Sequence, residues 1–144
     1  KELYDRVDDS VCAVRSALDE GIIAGGGLSL LRESISLLNK SKVDSKDNEN
    51  LAKMILATAL QAPINQICDN AEKKIEYVMD NIYMQKYNFG YDVKNKKYGD
   101  MFKMGIIDPL KVTKNALLNA VSVATTILST NAIITHKRQG QTDD

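Results

Sequence analysis

The sequence has few of the residues that build cross-linked or metal-bound scaffolds. Its 144 residues include two cysteines, Cys12 and Cys68, and one histidine, His136. These numbers exclude a disulfide-rich fold, a zinc ribbon and any site that needs several imidazole ligands. We expect both thiols to be reduced and to pack as partly buried, small apolar side chains in a soluble intracellular protein.

The sequence also has no long apolar run and no excess of positive or negative charge. No apolar stretch approaches the roughly 20 residues that a membrane-spanning helix needs, and the first six residues do not resemble a signal peptide. The 19 basic residues balance 19 acidic ones, so the formal net charge is zero. We therefore expect neither a membrane nor a nucleic acid as a partner. Because the chain does not begin with methionine, we expect a processed product or a fragment of a longer protein.

What the sequence does have is helical periodicity over most of its length. Apolar residues recur every three or four positions in five segments, which predicts five helices: 7–18, 28–38, 51–60, 64–71 and 75–82. Asp47 or Asn48 is expected to cap the third of them, and Pro63 to lie in the first turn of the fourth. A sixth and longest helix is expected from Pro109 to about Ser129, with an apolar face so wide that it predicts contacts on more than one side.

Short strands are predicted at three places. Residues 22–24 form an apolar run before a glycine-rich turn, and residues 89–92 with the region of 97–98 predict a small hairpin around a turn at 93–96. Residues 132–134 predict a last short strand before a polar tail. Because an isolated hairpin is only marginally stable, these few strands indicate that the chain is part of a larger domain or assembly.

The glycine run from Gly25 to Gly27 is the first candidate site. Glycine lets the backbone approach a ligand closely and adopt positive φ, and the N-terminus of the following helix offers unpaired N–H groups to an anion or nucleotide. The run matches neither the GxGxxG nor the GxxxxGK[ST] pattern. A tight strand-to-helix turn without any ligand is the simpler interpretation.

Acidic residues provide the other candidates. Asp8 and Asp9 point about 100° apart on a helix, so periodicity does not decide which of them faces a cleft. Such a carboxylate can orient or deprotonate a water molecule or help to hold Mg²⁺, or it can lie on a solvated face. Asp108 is expected to be the N-cap of the long helix, and it could instead accept hydrogen bonds from a ribose. We expect His136 to be an exposed bystander.

Three stretches of the chain, in one order, carry motifs that occur together in one protein family. Residues 6–9 followed by 20–27 are similar to an RVEDA…EGxxxGGG segment, residues 89–92 to a YGYN segment, and residues 104–113 to a GIxDPxKVT segment. Ala62 and Pro63 are similar to the start of a mid-helix APxxQI motif. With these motifs in register, the chain resembles the C-terminal part of the group I chaperonins, the GroEL type, over essentially its whole length.

The resemblance implies a mainly α fold, the multi-helix half of a chaperonin equatorial domain with a small β-hairpin and a short C-terminal strand. Residues 1–19 would be the end of the intermediate domain, residues 20–136 the C-terminal half of the equatorial ATP-binding domain, and residues 137–144 a flexible tail. The long helix would share a core with helices outside this chain. The strand at 132–134 would join subunits by sheet pairing.

The resemblance also implies a function, that of an ATP-dependent molecular chaperone subunit that assists protein folding in a homo-oligomeric ring. The ring would work in the cytoplasm or in an organelle matrix or stroma. Asp9 would be the catalytic aspartate that closes over the nucleotide and positions the attacking water. The nucleotide-binding set would be Gly26 against the ribose, Asp92, Val93 and Lys94 at the adenine, and Asp108 on the ribose hydroxyls.

Other parts of the family pattern are not found in these 144 residues. The phosphate-binding loop belongs to a different segment, as does the apical domain that binds unfolded client proteins and a co-chaperonin. The expected cofactors are ATP or ADP with Mg²⁺, whose ligands lie mostly outside this chain, and the chain alone is expected to be inactive as an ATPase. Asp92 replaces the usual asparagine and can only accept hydrogen bonds when ionised, while Lys94 replaces a small residue.

Two other interpretations come from different functional classes. The wide apolar face of the long helix and the lone short strand favour a non-catalytic helical self-association module. A small nucleotide-dependent enzyme built on the glycine turn is disfavoured, because too few acids, bases and metal ligands lie near that turn in the sequence.

Overall fold

A computed structural model of the chain describes residues 2–41, 47–132 and 134. Helices dominate this described part, so the expected mainly α class is confirmed. The elements are α1 (Glu2–Glu20), β1 (Ile22–Ala24), α2 (Leu28–Lys40), α3 (Asn48–Leu60), α4 (Ala62–Asn70), α5 (Ile75–Ile82), β2 (Phe89–Asp92), β3 (Lys97–Asp100), β4 (Ile107–Pro109) and α6 (Leu110–Leu128).

The chain divides into two compact units, Lys1–Val112 and Thr113–Asp144. The first unit contains every element from α1 to β4, and the second contains most of α6. The domain limits implied by the family resemblance, at residues 19 and 136, stay predictions.

The hydrophobic core of the first unit brings together α2, α4, α5 and the hairpin strand β2. Its buried side chains are Ala24, Leu28, Leu31, Ile64, Cys68, Val78, Ile82, Tyr91 and Met101. Full burial of an aliphatic side chain such as Leu31 stabilises the fold by roughly 1.5–3 kcal/mol relative to leaving it in water. Cys68 is a free, buried thiol as expected. The expectation was wrong for Cys12, which is free but exposed, because it lies on α1, a helix without buried residues in this structure.

Local signals set several helix ends. Asp47 is the N-cap of α3, and its side chain accepts a hydrogen bond from the Glu49 N–H at 3.3 Å. Pro63 lies in the first turn of α4, where its missing N–H would have had no helical partner. Gly21 ends α1 with a φ of +88°, and its N–H donates to the carbonyl of Ala17 at 2.8 Å.

Two antiparallel strand pairs complete the first unit. β2 pairs with β3 from Phe89 opposite Asp100 to Asp92 opposite Lys97, which confirms the predicted hairpin. β1 pairs with β4, with Ile23 opposite Asp108. This second pair is a long-range contact, and it brings the glycine turn after β1 next to the segment that precedes α6.

The start of α6, the helix predicted to be the longest, differs from the prediction, and at 19 residues α6 is as long as α1. Asp108 and Pro109 belong to β4, and the helix begins at Leu110, whose N–H donates to the carbonyl of Gly21 at 3.0 Å. Asp108 is therefore not the N-cap, because its backbone is extended and paired with Ile23. Pairing with a distant strand has overridden the local Asp-Pro capping signal.

Neither α1 nor α6 has a buried residue among the described residues. The contacts expected on more than one side of α6 stay a prediction. Exposed apolar side chains of α6 include Leu118, Val121, Val123, Ile127 and Leu128. None of the described helices is both long enough and apolar enough to cross a membrane.

Some expectations fall on positions outside the described residues. The strand predicted at 132–134 is centred on Ile133, and Ile133 lies outside the described residues. His136 and the tail at 137–144 also lie outside them.

Candidate functional site

A cleft in the first unit gathers four of the predicted binding residues. Its volume is about 410 Å³. Small-molecule sites commonly enclose roughly 300–1,000 Å³ and combine a mostly apolar lining with a few polar groups. The lining residues are Gly26, Ile67, Tyr91, Asp92, Val93, Lys94, Asn95, Met101, Met104 and Ile106. The size and lining therefore suit a flat, mostly apolar ligand group.

The glycine turn contributes one part of the cleft. The Gly25 N–H donates to the carbonyl of Ile106 at 3.0 Å, which ties the turn to the segment before β4. Gly26 has a φ of +65°, and a Cβ at this position would lie 3.0 Å from Cε of Met101. Ordinary carbon–carbon contacts are about 3.5–4.0 Å. Both the backbone conformation and the available space therefore favour glycine at Gly26.

The turn after β2 contributes a second part, held by the carboxylate of Asp92. Its Oδ1 accepts the backbone N–H groups of Lys94 at 3.0 Å and Asn95 at 3.1 Å, and its Oδ2 accepts from Nδ2 of Asn95 at 2.6 Å. These bonds, the one from the Asn95 side chain above all, lower the pKa of the Asp92 carboxyl. They occupy both lone pairs of Oδ1 and one of Oδ2, which leaves Oδ2 able to accept one further bond.

Asp108 lies beside the glycine turn but is not among the residues that line the cleft. A Cβ on Gly25 would lie 3.2 Å from both Cγ and Oδ1 of Asp108. Burial raises the pKa of the Asp108 carboxyl, and no described residue donates a hydrogen bond to it or forms an ion pair with it. A half-buried acceptor with unused lone pairs is suited to a ligand that brings hydroxyl donors.

Asp9, the expected catalytic residue, is not brought to the cleft. It lies exposed on α1, as does its neighbour Asp8. The far end of α1 meets the start of α6 through an ion pair between Asp19 and Lys111 at 2.7 Å. Asp9 precedes Asp19 by ten residues, which corresponds to about 15 Å along a helix. Asp9 is therefore not among the residues that line the cleft in this conformation.

Reasoning from the sequence missed much of the cleft lining. Asn95 could have been found, because an Asp followed closely by polar residues in a turn is a signal for side chain-to-backbone bonds. Met101, Met104 and Ile106 carry no such local signal. Met101 is buried because it fills the space left by the glycines at 26 and 90, and its contact with Gly26 is long-range in sequence.

Possible metal ligands are not clustered in the described part of the chain. No three or more His, Cys, Asp or Glu side chains within residues 2–41, 47–132 and 134 are grouped so that they could hold a metal ion.

Comparisons with known proteins match nearly the whole chain. Residues 1–138 match the TCP-1/cpn60 chaperonin family. A protein of Carsonella ruddii (strain PV), named Chaperonin GroEL, is 45% identical over 136 residues, which is 93% of this chain and 25% of that protein. The chain thus spans about a quarter of the length of this curated relative.

Proposed function

The chain belongs to the TCP-1/cpn60 chaperonin family, and from this premise we propose that it supplies part of the nucleotide site of an ATP-dependent molecular chaperone. The longer protein would assist protein folding as a homo-oligomeric ring, in the cytoplasm or in an organelle matrix or stroma. Unfolded client proteins and a co-chaperonin would bind to other segments of that protein.

The observation that carries this proposal is the cleft that joins the glycine turn to the turn after β2. Met101, Met104 and Ile106 offer apolar surface to the faces of an adenine. The remaining acceptor position on Oδ2 of Asp92 suits an exocyclic amino group. Asp108, next to Gly25, would accept hydrogen bonds from ribose hydroxyls, and Gly26 allows the sugar to approach the backbone.

The proposed cofactor is ATP or ADP with Mg²⁺, which supplies the phosphoryl chemistry when bound. The described residues suit its base and sugar, so we propose that other segments hold the phosphates and the metal. Asp9 is the proposed catalytic carboxylate, which would orient the attacking water and accept its proton. Since α1 has no buried residue and ends at Gly21, a hinge motion there would allow Asp9 to approach the cleft.

The binding role is tested by calorimetric titration of adenosine and ADP into the protein that contains this chain. Asp108→Ala removes the proposed ribose acceptor, so adenosine affinity should fall by about tenfold or more, because a hydrogen bond to a charged group contributes roughly 1.5–3 kcal/mol. Asp69→Ala, an exposed aspartate on α4, is the matched control and should leave affinity unchanged. Equal affinities for both variants would contradict the role of Asp108.

The catalytic role is tested by Asp9→Ala in the longer protein. We expect nucleotide binding to stay nearly intact and ATP turnover to fall by orders of magnitude. Asp8→Ala is the control, because its side chain points about 100° away on the same helix. Equal losses of binding and turnover in Asp9→Ala, or equal losses in both variants, would contradict the assignment. The 144-residue chain alone should release no phosphate from ATP at steady state.

The exposed apolar face of α6 supports a second candidate, a non-catalytic helical self-association module. Light scattering of the longer protein distinguishes the two candidates. Ring-sized particles would support the chaperonin, and small closed dimers without nucleotide binding would support the module.

A further inference from the structure

Arg32 is a buried cation of α2 whose hydrogen-bond acceptors are all backbone carbonyls. Its residue is only 7% exposed. Nε donates to the carbonyl of Tyr87 at 3.0 Å, and Nη2 donates to those of Lys86 at 2.7 Å and Phe89 at 3.2 Å. A longer bond of 3.4 Å runs from Nη1 to the carbonyl of Tyr83. No carboxylate in the described part of the chain pairs with this guanidinium.

These bonds connect the two parts of the chain that form the cleft. Arg32 lies in the second turn of α2, which begins directly after the glycine turn. Its acceptors lie in residues 83–89, which lead into β2, and β2 ends at Asp92. The same segment is also held by the Met101 N–H, which donates to the carbonyl of Asn88 at 2.9 Å.

The chemistry of a guanidinium makes this connection sensitive to position. A buried charge is tolerated only when it is well hydrogen-bonded. The donors of arginine form a rigid planar fork, so they match several carbonyls only when those carbonyls are held in a defined arrangement. Residues 83–88 are neither helix nor strand, so their carbonyls depend on donors from elsewhere. Arg32 and the segment therefore fix each other.

We infer that Arg32 is a positioning residue that holds the turn of Asp92 at a set distance from the glycine turn and so fixes the width of the cleft. The inference rests on the proposed function for the identity of the ligand. The restraint on the hairpin, by contrast, is a property of this chain with or without a ligand.

Backbone hydrogen exchange tests the restraint directly in the protein that contains this chain. Arg32→Lys keeps the charge, but a single ammonium cannot span carbonyls spread along the segment, and Arg32→Met removes every donor. Amides of β2 and β3 should exchange at least about tenfold faster in both variants, since each hydrogen bond to a charged group carries a tenfold effect or more. Amides of α3 should keep their wild-type rates.

A matched control is available on the same helix. Ser34 is fully buried, and its Oγ donates to the carbonyl of Ala57 at 2.7 Å, toward α3 rather than the hairpin. Ser34→Ala should accelerate exchange in α3 and leave the hairpin unchanged. Tyr87→Phe removes only the exposed hydroxyl bond to Glu33 at 2.8 Å and keeps the carbonyl that Arg32 uses, so the hairpin should again exchange at wild-type rates.

Adenosine affinity in the same variants separates this inference from the proposed function. We expect affinity about tenfold weaker in Arg32→Lys and unchanged in Ser34→Ala. If the wild type binds no adenosine while the hairpin exchanges as expected, the proposed function fails and the positioning role stands. Wild-type hairpin exchange in both Arg32 variants would overturn the inference. Uniformly faster exchange throughout the first unit, or unfolding of both variants, would also overturn it, because Arg32 would then stabilise the first unit as a whole and not the hairpin in particular.

Discussion

Replacement of Gly27 by alanine should destabilise the first unit more than the same replacement at Gly21. Both glycines have positive φ, +75° at Gly27 and +88° at Gly21. Alanine at either position would therefore destabilise the fold by roughly 1–2 kcal/mol, because its side chain disfavours this backbone conformation. Their surroundings differ. A Cβ at Gly27 would lie 3.0 Å from the Cβ and backbone N of Ile64 and 3.1 Å from its Cα, whereas a Cβ at Gly21 would have nothing within 4 Å.

The extra cost at Gly27 follows from these contacts. Carbon atoms pack best at about 3.5–4.0 Å, so the new methyl group would be too close to three atoms of Ile64 at once. Two of them belong to the backbone of α4, which cannot move aside as the end of a flexible side chain can. Overpacking of this kind costs roughly 1–3 kcal/mol. Gly27→Ala should therefore destabilise by about 2–5 kcal/mol, against about 1–2 kcal/mol for Gly21→Ala.

Urea unfolding followed by circular dichroism measures both losses of stability. An unchanged slope of the free energy of unfolding against urea concentration would show that the two variants unfold from comparable native states. Gly21→Ala serves as the control for conformational strain alone. Equal unfolding midpoints for the two variants would refute the reasoning, because the glycine turn would then not be packed against α4.

The two carboxylates near the cleft should respond to pH in opposite directions. Burial raises the pKa of Asp108, so the folded protein binds this proton more tightly than the unfolded one, and stability falls as pH rises through the raised pKa. Asp108→Asn should therefore stabilise the protein at neutral pH, because it removes a charge that burial disfavours; lower stability in urea unfolding at pH 7 would contradict this. Hydrogen bonds, chiefly from the Asn95 side chain, lower the pKa of Asp92, so its contribution is present above the ordinary pKa of aspartate and lost as pH falls through the lowered one. Asp92→Ala should lower stability at neutral pH. It should also remove the share of the stability loss at acidic pH that comes from protonation of Asp92, which unfolding curves over a pH series would detect.

Most of the helices were predictable because their signals are local. Apolar spacing located α2 to α5, and the aspartate at position 47 caps α3 as its position suggests. The hairpin was predictable for the same reason, since β2 and β3 are joined by a four-residue turn. The error at Asp108 has a non-local cause, because a strand more than eighty residues earlier in the chain pairs with it.

The site was only partly predictable. The glycine run was a candidate from its residue types, while the choice of Gly26 within it and the turn from Asp92 to Lys94 came from the family resemblance. These residues lie at one cleft, although periodicity alone gave no reason to connect them. Met101 could not be predicted, because the space that it fills is formed partly by Gly26, which is distant in sequence. The choice of Asp9 over Asp8 also came from the resemblance, and it stays a prediction because neither residue reaches the cleft.

A map of the backbone amides perturbed by adenosine tests the proposed nucleotide cleft most directly. Nuclear magnetic resonance of the labelled protein, titrated with adenosine, reports each amide separately. The cleft predicts shifts at Gly26, at residues 92–95 and at residues 106–108, with α3 unaffected. Saturating adenosine that perturbs no amide in these three stretches, or that perturbs only amides on other helices, would contradict the assignment of the cleft to the base and sugar.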